Sequence, residues 1–250
     1  MWESRVFQFF IVWYICGVIL LSLDALPPWL EWANVVFLML AGSLGVIYFC
    51  QSYGTRKGLL ASLVIFTVSM YTEYLGTTHG LIFGKYVYTT DFGLLLFGVP
   101  FTIGFAWLLV MSTSHALLQV IRPPGLLLHA VYGGIIAVVM DLVLDPVSFK
   151  VKNYWVWQDS GAYYGIPAQN FVGWFLVAAV LHLFLYRYLQ NGRTEDHPVW
   201  HKRMILLYLL ILAMFMLLAS LAHMYLAVAM TGMGLLIIIS HYLWRRRVTS

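Results

Sequence analysis

Long apolar runs of about 20 residues, separated by short polar or glycine- and proline-containing stretches, dominate this chain. A helical run of this length matches the hydrocarbon core of a bilayer, whereas a transmembrane barrel strand needs only about 10 residues. The 14 basic and 10 acidic side chains are few for 250 residues, so most of the chain can lie where a charge would be costly. The sequence therefore predicts an all-α integral membrane protein, a bundle of transmembrane helices.

The number of spans follows from the lengths of the apolar runs. We predict eight helices, at about residues 6–23, 30–50, 58–78, 100–119, 125–145, 170–189, 204–222 and 225–242. The last two divide one uncharged stretch of 39 residues, which is too long for a single crossing and fits a helical hairpin near His223. Seven spans are the alternative. We expect a single membrane domain over residues 1–250, because no soluble domain or repeat is visible.

Positive charges indicate the orientation of the bundle, because Lys and Arg accumulate in cytoplasmic loops. Eight spans with the N-terminus inside place only Lys85, Lys150 and Lys152 on the outer side. The basic residues on the cytoplasmic side are then Arg5, Arg56, Lys57, Arg122, Arg187, Arg193, Lys202, Arg203, Arg245, Arg246 and Arg247. We therefore predict cytoplasmic N- and C-termini in a multi-pass protein of the cell membrane. We expect the first helix to be retained, since no small-residue cleavage site follows it.

Two segments on the predicted outer side, residues 80–99 and 146–169, are far longer than a connection between neighbouring helices requires. Long ordered connections are often binding loops or lids. Both segments contain many aromatic residues: Phe83, Tyr86, Tyr88, Phe92 and Phe97 in the first, and Tyr154, Trp155, Trp157, Tyr163 and Tyr164 in the second. An interfacial aromatic belt is the alternative explanation, but two such segments on one side favour a binding role.

Three carboxyls lie within or at the end of predicted spans, where an acid costs several kcal/mol unless it is paired or neutral. Glu73 lies fifteen residues beyond Gly58, and Asp141 lies sixteen beyond Gly125. At about 1.5 Å per residue, both are roughly 22 to 24 Å from the cytoplasmic end, in the outer third of the membrane. Asp145 shares a helix face with Asp141, four residues away. We therefore predict that the three carboxyls converge beneath the outer segments.

Such a cluster has two interpretations. The acids can simply hold helices together by hydrogen bonds, or they can carry acid–base chemistry. Apart from Arg187, near the cytoplasmic end of the sixth predicted span, no Lys or Arg lies inside the predicted spans to neutralise them. Carboxyls crowded in a low dielectric cannot all ionise, so at least one is expected to stay protonated at neutral pH, as a general acid requires.

Other reactive residues indicate less. His79 is close to the predicted site, whereas His115, His129 and His182 are expected to pack within the bundle or at its interfaces. Neither the histidines nor the two cysteines show metal-ligand spacing, and no serine-hydrolase or nucleotide-binding motif is present. We therefore expect no metal and no cofactor. The basic residues are scattered, which does not favour nucleic acid as a partner.

An ordered series of motifs resembles a known family. The motifs are residues 71–76 (YTEYLG), 83–88 (FGKYVY), 98–100 (GVP), 141–146 (DLVLDP), 155–157 (WVW) and 161–174 (GAYYGIPAQNFVGW). They are similar to those of the membrane carotenoid biosynthesis proteins, which include the carotenoid 1,2-hydratases and the bisanhydrobacterioruberin hydratase. The resemblance covers about residues 58–189.

The resemblance implies addition of water across the terminal (1,2) double bond of a linear carotenoid, which gives a tertiary alcohol without a metal or redox cofactor. On this basis we expect Glu73 and Asp141 to be the acid and base, in either order, with Asp145 sharing the proton or orienting Asp141. Asn170 would position the water. The end-group pocket would be lined by Tyr71, Tyr74, His79, Tyr86, Trp155, Trp157, Tyr163 and Tyr164. Expected partners are a linear carotenoid, water, the lipid bilayer and other carotenoid pathway enzymes.

Two other functions fit the same residues. A carotenoid end-group cyclase also begins by protonating an alkene, and differs in excluding water from the cation. A transporter or pigment-binding protein would use the acids as a proton relay or as ligand anchors. The absence of inverted repeats and of paired glycine-broken helices in the sequence argues against transport.

Overall fold

Eight long helices, each apolar enough to cross a membrane, make up most of the described chain. The structure is a computed structural model that describes residues 2–89, 93–190 and 198–249. The helices are α1 (Trp2–Ser22), α2 (Trp32–Tyr53), α3 (Thr55–His79), α4 (Thr102–Ile121), α5 (Gly125–Pro146), α6 (Ala168–Leu189), α7 (Pro198–Leu221) and α8 (Tyr225–Thr249). The predicted all-α bundle is confirmed. Phe92 and Arg193 lie outside the described residues, and the predicted orientation stays a prediction.

A tight turn at His223 separates α7 from α8. His223 has a left-handed backbone conformation (φ 58°), and the N–H of Met224 donates to the carbonyl of Ala219 at 2.8 Å. This long backward bond is typical of a Schellman helix end. The 39-residue apolar stretch therefore folds back on itself, and the prediction of eight spans rather than seven is confirmed.

Helix ends differ from the predicted ones where polar residues continue a helix. The last helix runs to Thr249 rather than to residue 242, and α7 begins at Pro198 rather than at residue 204. A search for apolar runs finds only the part of a helix that lies in lipid, so its polar extensions are missed.

The bundle is built around α4, which is the most buried of the eight helices, while α1 and α8 are the least buried. Helix α2 packs closely against α4 at Gly42, where a Cβ atom would lie 2.5 Å from the carbonyl oxygen of Phe105. Small residues at helix contacts let two backbones approach in this way within a membrane.

A methyl group at Gly42 is expected to destabilise the protein. Gly42→Ala forces the backbones of α2 and α4 apart, and such overpacking costs about 1 to 3 kcal/mol. Gly17→Ala is the control, because no atom lies within 4 Å of a Cβ at that helical position. There the better helix propensity of alanine contributes up to about 1 kcal/mol. The midpoint of thermal unfolding in detergent should fall for Gly42→Ala and stay or rise for Gly17→Ala; equal midpoints would contradict the close packing.

The two long segments that we predict on the outer side pair with each other. Strand β1 (Tyr86–Tyr88) and strand β4 (Trp155–Trp157) form an antiparallel ribbon, and β2 (Leu95–Leu96) pairs with β3 (Val99–Pro100). Two further backbone bonds extend the first ribbon, from the N–H of Gln158 to Lys85 at 2.8 Å and from the N–H of Thr89 to Tyr154 at 3.0 Å. A π-helical turn, Val147–Val151, continues α5, so the second segment begins later than predicted. The described residues of the two long segments, 80–89, 93–99 and 146–169, therefore form one layer over the helices.

Candidate active site

Aromatic side chains of the β1–β4 ribbon project from one face. Tyr86 lies opposite Trp157 and Tyr88 opposite Trp155, with ring centroids 4.9 Å and 6.1 Å apart. Val87, between the two tyrosines, is 45% exposed on the other face. Because alternate residues of a strand point to opposite faces, the ribbon presents four aromatic rings on the side where the helices lie.

A cavity of about 400 Å³ lies beneath these rings. The carboxyls of Glu73 (on α3), Asp141 and Asp145 (both on α5) are part of its wall, and all three residues are almost completely buried. The rest of the wall is mainly apolar and comes from six of the eight helices and from the ribbon. The structure thus brings the three acids to one polar end of an otherwise apolar cavity.

Glu73 accepts hydrogen bonds from three neutral donors. The hydroxyls of Tyr86 and Tyr88 both donate to its Oε2 atom, the second at 2.7 Å. The indole N–H of Trp107, on α4, donates to Oε1 at 3.0 Å. Gly76, one turn along α3, makes room for this arrangement, since a Cβ there would lie 2.9 Å from the ring of Tyr86. Glu73 is therefore held by three groups from two segments, β1 and α4.

The two tyrosines are fixed as donors. Burial, and then the charge of Glu73, raise the pKa of Tyr86 well above its usual value near 10. The same two causes raise the pKa of Tyr88. Both phenols therefore keep their protons at any physiological pH and can offer them to the carboxylate.

Asn170 joins the two aspartates. Its side-chain nitrogen donates to Asp141 Oδ2 at 2.8 Å and to Asp145 Oδ2 at 2.7 Å. Asp145 also accepts the indole N–H of Trp155 at 2.8 Å, on Oδ1. Asn170 lies in the first turn of α6, which begins directly after Pro167. One amide group from α6 thus bridges two carboxyls from successive turns of α5. The expected role of Asn170 in positioning water stays a prediction.

From the carboxyls, the cavity extends along α1. Its wall includes residues from Phe9 to Leu21 on that helix, a rise of about 18 Å at 1.5 Å per residue. Three of them, Phe9, Val12 and Cys16, are exposed on the surface of the bundle. The cavity is therefore elongated, and its wall on this side is a peripheral, apolar helix.

Further aromatic rings complete the wall near the carboxyls. The indoles of Trp107 and Trp174 stack with centroids 4.6 Å apart, and Phe83 lies 6.1 Å from Trp107. All three line the cavity. Rings from two helices and two loop segments thus surround the carboxyl end.

Some residues expected in the pocket lie elsewhere. Tyr71 is 61% exposed, and Tyr74 packs against His79 and Phe97, with centroids 6.2 Å and 6.3 Å away. None of these four residues lines the cavity with the carboxyls. Of the expected pocket residues, Tyr86, Trp155, Trp157 and Asn170 do line it.

Tyr163 and Tyr164 also lie outside the cavity and join neighbouring elements. The hydroxyl of Tyr163 donates to the carbonyl of Leu142 at 2.7 Å, which ties the second outer segment to α5. The hydroxyl of Tyr164 accepts the backbone N–H of Ala227 at 3.2 Å, which ties it to α8. Their contacts are those of residues that anchor a loop.

The cavity wall also contains residues that were not assigned to the site from the sequence, among them Tyr88, Trp107, Lys152 and Trp174. Tyr88 was the easiest to find, because it lies two residues after Tyr86 in an alternating segment and must share its face. Nothing in the sequence distinguishes the indoles of Trp107 and Trp174 from others in apolar runs.

The histidines of the spans form a separate cluster. The ring centroids of His115, His129 and His182 lie 6.1 to 6.3 Å apart. These residues lie toward one end of α4, α5 and α6, and the carboxyls lie toward the other end of the bundle. Among the described residues, no group of three or more His, Cys, Asp or Glu side chains is placed to hold a metal ion. These three histidines pack within the bundle, at a distance from the cavity.

Comparisons with known proteins agree on one family. A family model described as carotenoid biosynthesis protein matches residues 33–239. A curated relative, the bisanhydrobacterioruberin hydratase of Haloarcula japonica, is 26% identical over 151 residues, which are 57% of this chain and 51% of the relative. The chain thus spans about half the length of the curated relative it matches. No solved structure matches it significantly.

Proposed function

The chain belongs to the family of carotenoid biosynthesis proteins, and from this premise we propose that it adds water to the terminal double bond of a linear carotenoid. The product would be a tertiary alcohol. The name of the Haloarcula japonica relative, a hydratase, supports this proposal. Among the structural observations, the one that carries it is the cluster of three buried carboxyls at one end of an elongated apolar cavity.

The chemistry requires a strong proton donor. The terminal alkene of a linear carotenoid is not activated, so its protonation needs an acid held in a dry site. The proton adds to the CH carbon of the double bond and leaves a tertiary cation on its neighbour. Water attacks that cation, and its extra proton passes to a carboxylate. Two carboxyls allow the acid and the base to be separate groups, and the cavity wall holds three.

The aromatic rings would stabilise the cation. The faces of tryptophan and tyrosine attract positive charge, with an energy of about 2 kcal/mol or more in a desolvated site. Six such rings line the carboxyl end: Tyr86, Tyr88, Trp107, Trp155, Trp157 and Trp174. They exclude bulk water as well, so the acids would react in a low-dielectric environment.

The elongated part of the cavity fits a stretched hydrocarbon chain. An apolar slot along α1 would hold the polyene, while its end group meets the carboxyls. We expect a lipid-dissolved substrate to enter sideways from the bilayer beside α1, where Val12 and Cys16 both line the cavity and are exposed. We place the protein in the cell membrane with the carboxyls toward the outer face, where other enzymes of the carotenoid pathway could exchange substrate with it.

Expression in cells that accumulate a linear carotenoid tests the activity. Chromatography and mass spectrometry of the pigments should show a product heavier by the mass of one water molecule, absent from cells with an empty vector. A shifted product of unchanged mass would contradict hydration in favour of cyclisation. Unchanged pigments with several linear carotenoids would contradict the enzyme and favour binding or transport.

A small change on α3 should weaken the site without removing any polar group. Gly76→Ala places a Cβ atom against the ring of Tyr86 and displaces its hydroxyl from Glu73. A hydrogen bond to a charged group is worth about 1.5 to 3 kcal/mol, so we expect the hydration rate to fall about tenfold or more. Tyr86→Phe should lower it similarly.

Gly232→Ala is the control for this prediction. A Cβ at that position, on α8, would meet only the flexible end of Met216, at 3.8 Å. Rates measured on equal amounts of membrane-inserted protein should be unchanged for this variant. A Gly76→Ala variant as fast as the wild type would show that the hydrogen bond from Tyr86 to Glu73 does not matter for the reaction.

A further inference from the structure

The carboxyl oxygens of the site differ in one respect. Of the six oxygens of Glu73, Asp141 and Asp145, five accept a hydrogen bond from a described side chain. The sixth, Asp141 Oδ1, is buried and has no hydrogen-bond partner among the described residues. Among the three acids, Asp141 is thus the one with an oxygen, Oδ1, that has no hydrogen-bond partner among the described residues.

The hydrogen-bond donors around each carboxyl restrict which oxygen can carry the acid proton. An indole or amide N–H can only donate, so an oxygen that faces one must accept. Both oxygens of Asp145 face such groups, from Trp155 and Asn170. Oε1 of Glu73 also faces such a group, the indole of Trp107, and its Oε2 faces the hydroxyls of Tyr86 and Tyr88. Glu73 and Asp145 are therefore surrounded as carboxylates are.

Asp141 is surrounded as a neutral acid is. A buried carboxylate oxygen without a donor is strongly disfavoured, and a neutral O–H without an acceptor costs much less than such an unsolvated charge. Asp141 and Asp145 also share one amide group, and two like charges so close together disfavour full ionisation. Protonation of Asp141 at Oδ1 relieves both problems without breaking any of the hydrogen bonds described.

We propose that Asp141 is the proton donor of the reaction, acting from Oδ1, and that Glu73 remains a carboxylate and accepts the proton of the attacking water. The assignment rests on the proposed hydration and fixes the order of acid and base. Oδ1 belongs to a residue of the cavity wall, so its proton is available to an end group bound there. Asp145 and Asn170 are positioning residues that hold Asp141 through Oδ2.

Each bond is accounted for in this sequence. The O–H bond of Asp141 breaks, and the electrons of the double bond form a C–H bond at the CH carbon. Water forms a C–O bond at the cation and passes its extra proton to Glu73. A carboxylate offers about four lone-pair sites, and Glu73 uses three, so one remains for this proton. Transfer of one proton from Glu73 back to Asp141 through water restores the starting state.

Deuterium exchange separates acid from base. In D₂O buffer, the wild type in lipid vesicles should form hydrated product with deuterium on the carbon next to the alcohol carbon. Asp141→Asn should form no product, and the recovered carotenoid should contain no deuterium. Glu73→Gln should also lose product, but reversible protonation by Asp141 should still introduce deuterium into the recovered carotenoid. Mass spectrometry measures both quantities.

Every outcome bears on the assignment. Exchange in Asp141→Asn with none in Glu73→Gln would reverse the two roles, and loss of exchange in both variants would also overturn the proposal. Neither product nor exchange in the wild type would instead refute the hydration on which it rests. Asp141→Glu keeps a carboxyl and should recover part of the exchange.

A second measurement needs no active variant and no Asp141 substitution. The infrared C=O stretch of a protonated carboxylic acid should be present in the wild type at neutral pH, and it should persist in Glu73→Gln. Loss of that band in Glu73→Gln would mean that Glu73 carries the proton, which would overturn the proposal even if Asp141→Asn failed to fold.

Discussion

Replacing Glu73 with glutamine is expected to slow hydration by about 100- to 10,000-fold, the usual contribution of one general acid or base. Glutamine has the same shape, so its side-chain carbonyl can still accept the indole N–H of Trp107. Its amide nitrogen, however, would face the hydroxyls of Tyr86 and Tyr88 and could not accept them both. The negative charge opposite the cation is lost, and so is the acceptor for the proton of water. The initial rate of product formation in vesicles measures the effect.

Glu3→Gln is the matched control for Glu73→Gln. Glu3 lies near the start of α1, outside the cavity wall, and accepts a hydrogen bond from Gln51 at 3.2 Å. The same chemical change there should leave the rate within about twofold of the wild type, since surface substitutions cost little. If Glu73→Gln retained more than a tenth of the wild-type rate, Glu73 would not take part in the reaction as we describe it.

Replacing Asn170 with leucine is also expected to have a large effect. Leucine has the same number and branching of side-chain heavy atoms, but it cannot donate to Asp141 and Asp145. Two buried carboxyl oxygens lose their donor, at a cost of about 1 to 3 kcal/mol each, and Asp141 is no longer held in place. We expect the hydration rate to fall about 100-fold, with a moderate loss of thermal stability.

The neighbouring Gln169 provides the control for Asn170. Gln169 is exposed, and its amide donates to the carbonyl of Gly80 at 3.2 Å, outside the cavity. Gln169→Leu should keep at least half of the wild-type rate. If Asn170 merely filled space, Asn170→Leu would behave in the same way, which would contradict its role in holding the two aspartates.

The transmembrane helices could be predicted because their signal is local. Each apolar run specifies its own helix, and the cost of a charge in lipid identifies Glu73, Asp141 and Asp145 one at a time. The turn at His223 followed from length alone, since 39 uncharged residues cannot cross once. Local properties therefore gave the bundle and the three acids.

The ribbon was not predicted, because it pairs segments that are distant in the sequence. Tyr86 and Trp157 are 71 residues apart, and no local property specifies that they meet. A weaker signal was present, since Tyr-Val-Tyr and Trp-Val-Trp both alternate with a period of two, as in strands. Reading that period would have given the strands and the shared face, but not their pairing.

The expected pocket positions of Tyr71 and Tyr74 conflict with helical geometry. They lie two residues before and one residue after Glu73 on α3. At 3.6 residues per turn, each is rotated by 100° or more from Glu73, so they point to other faces of the helix. Proximity in sequence was therefore misleading, whereas Trp107 reaches Glu73 from another helix.

The most direct test of hydration by these carboxyls uses water enriched in the heavy oxygen isotope. Purified protein in lipid vesicles would be incubated with a linear carotenoid in labelled water, and the product analysed by mass spectrometry. We predict that the wild type forms an alcohol whose oxygen carries the label, and that Glu73→Gln forms almost none. An alcohol with unlabelled oxygen, or a product isomeric with the substrate, would contradict the account.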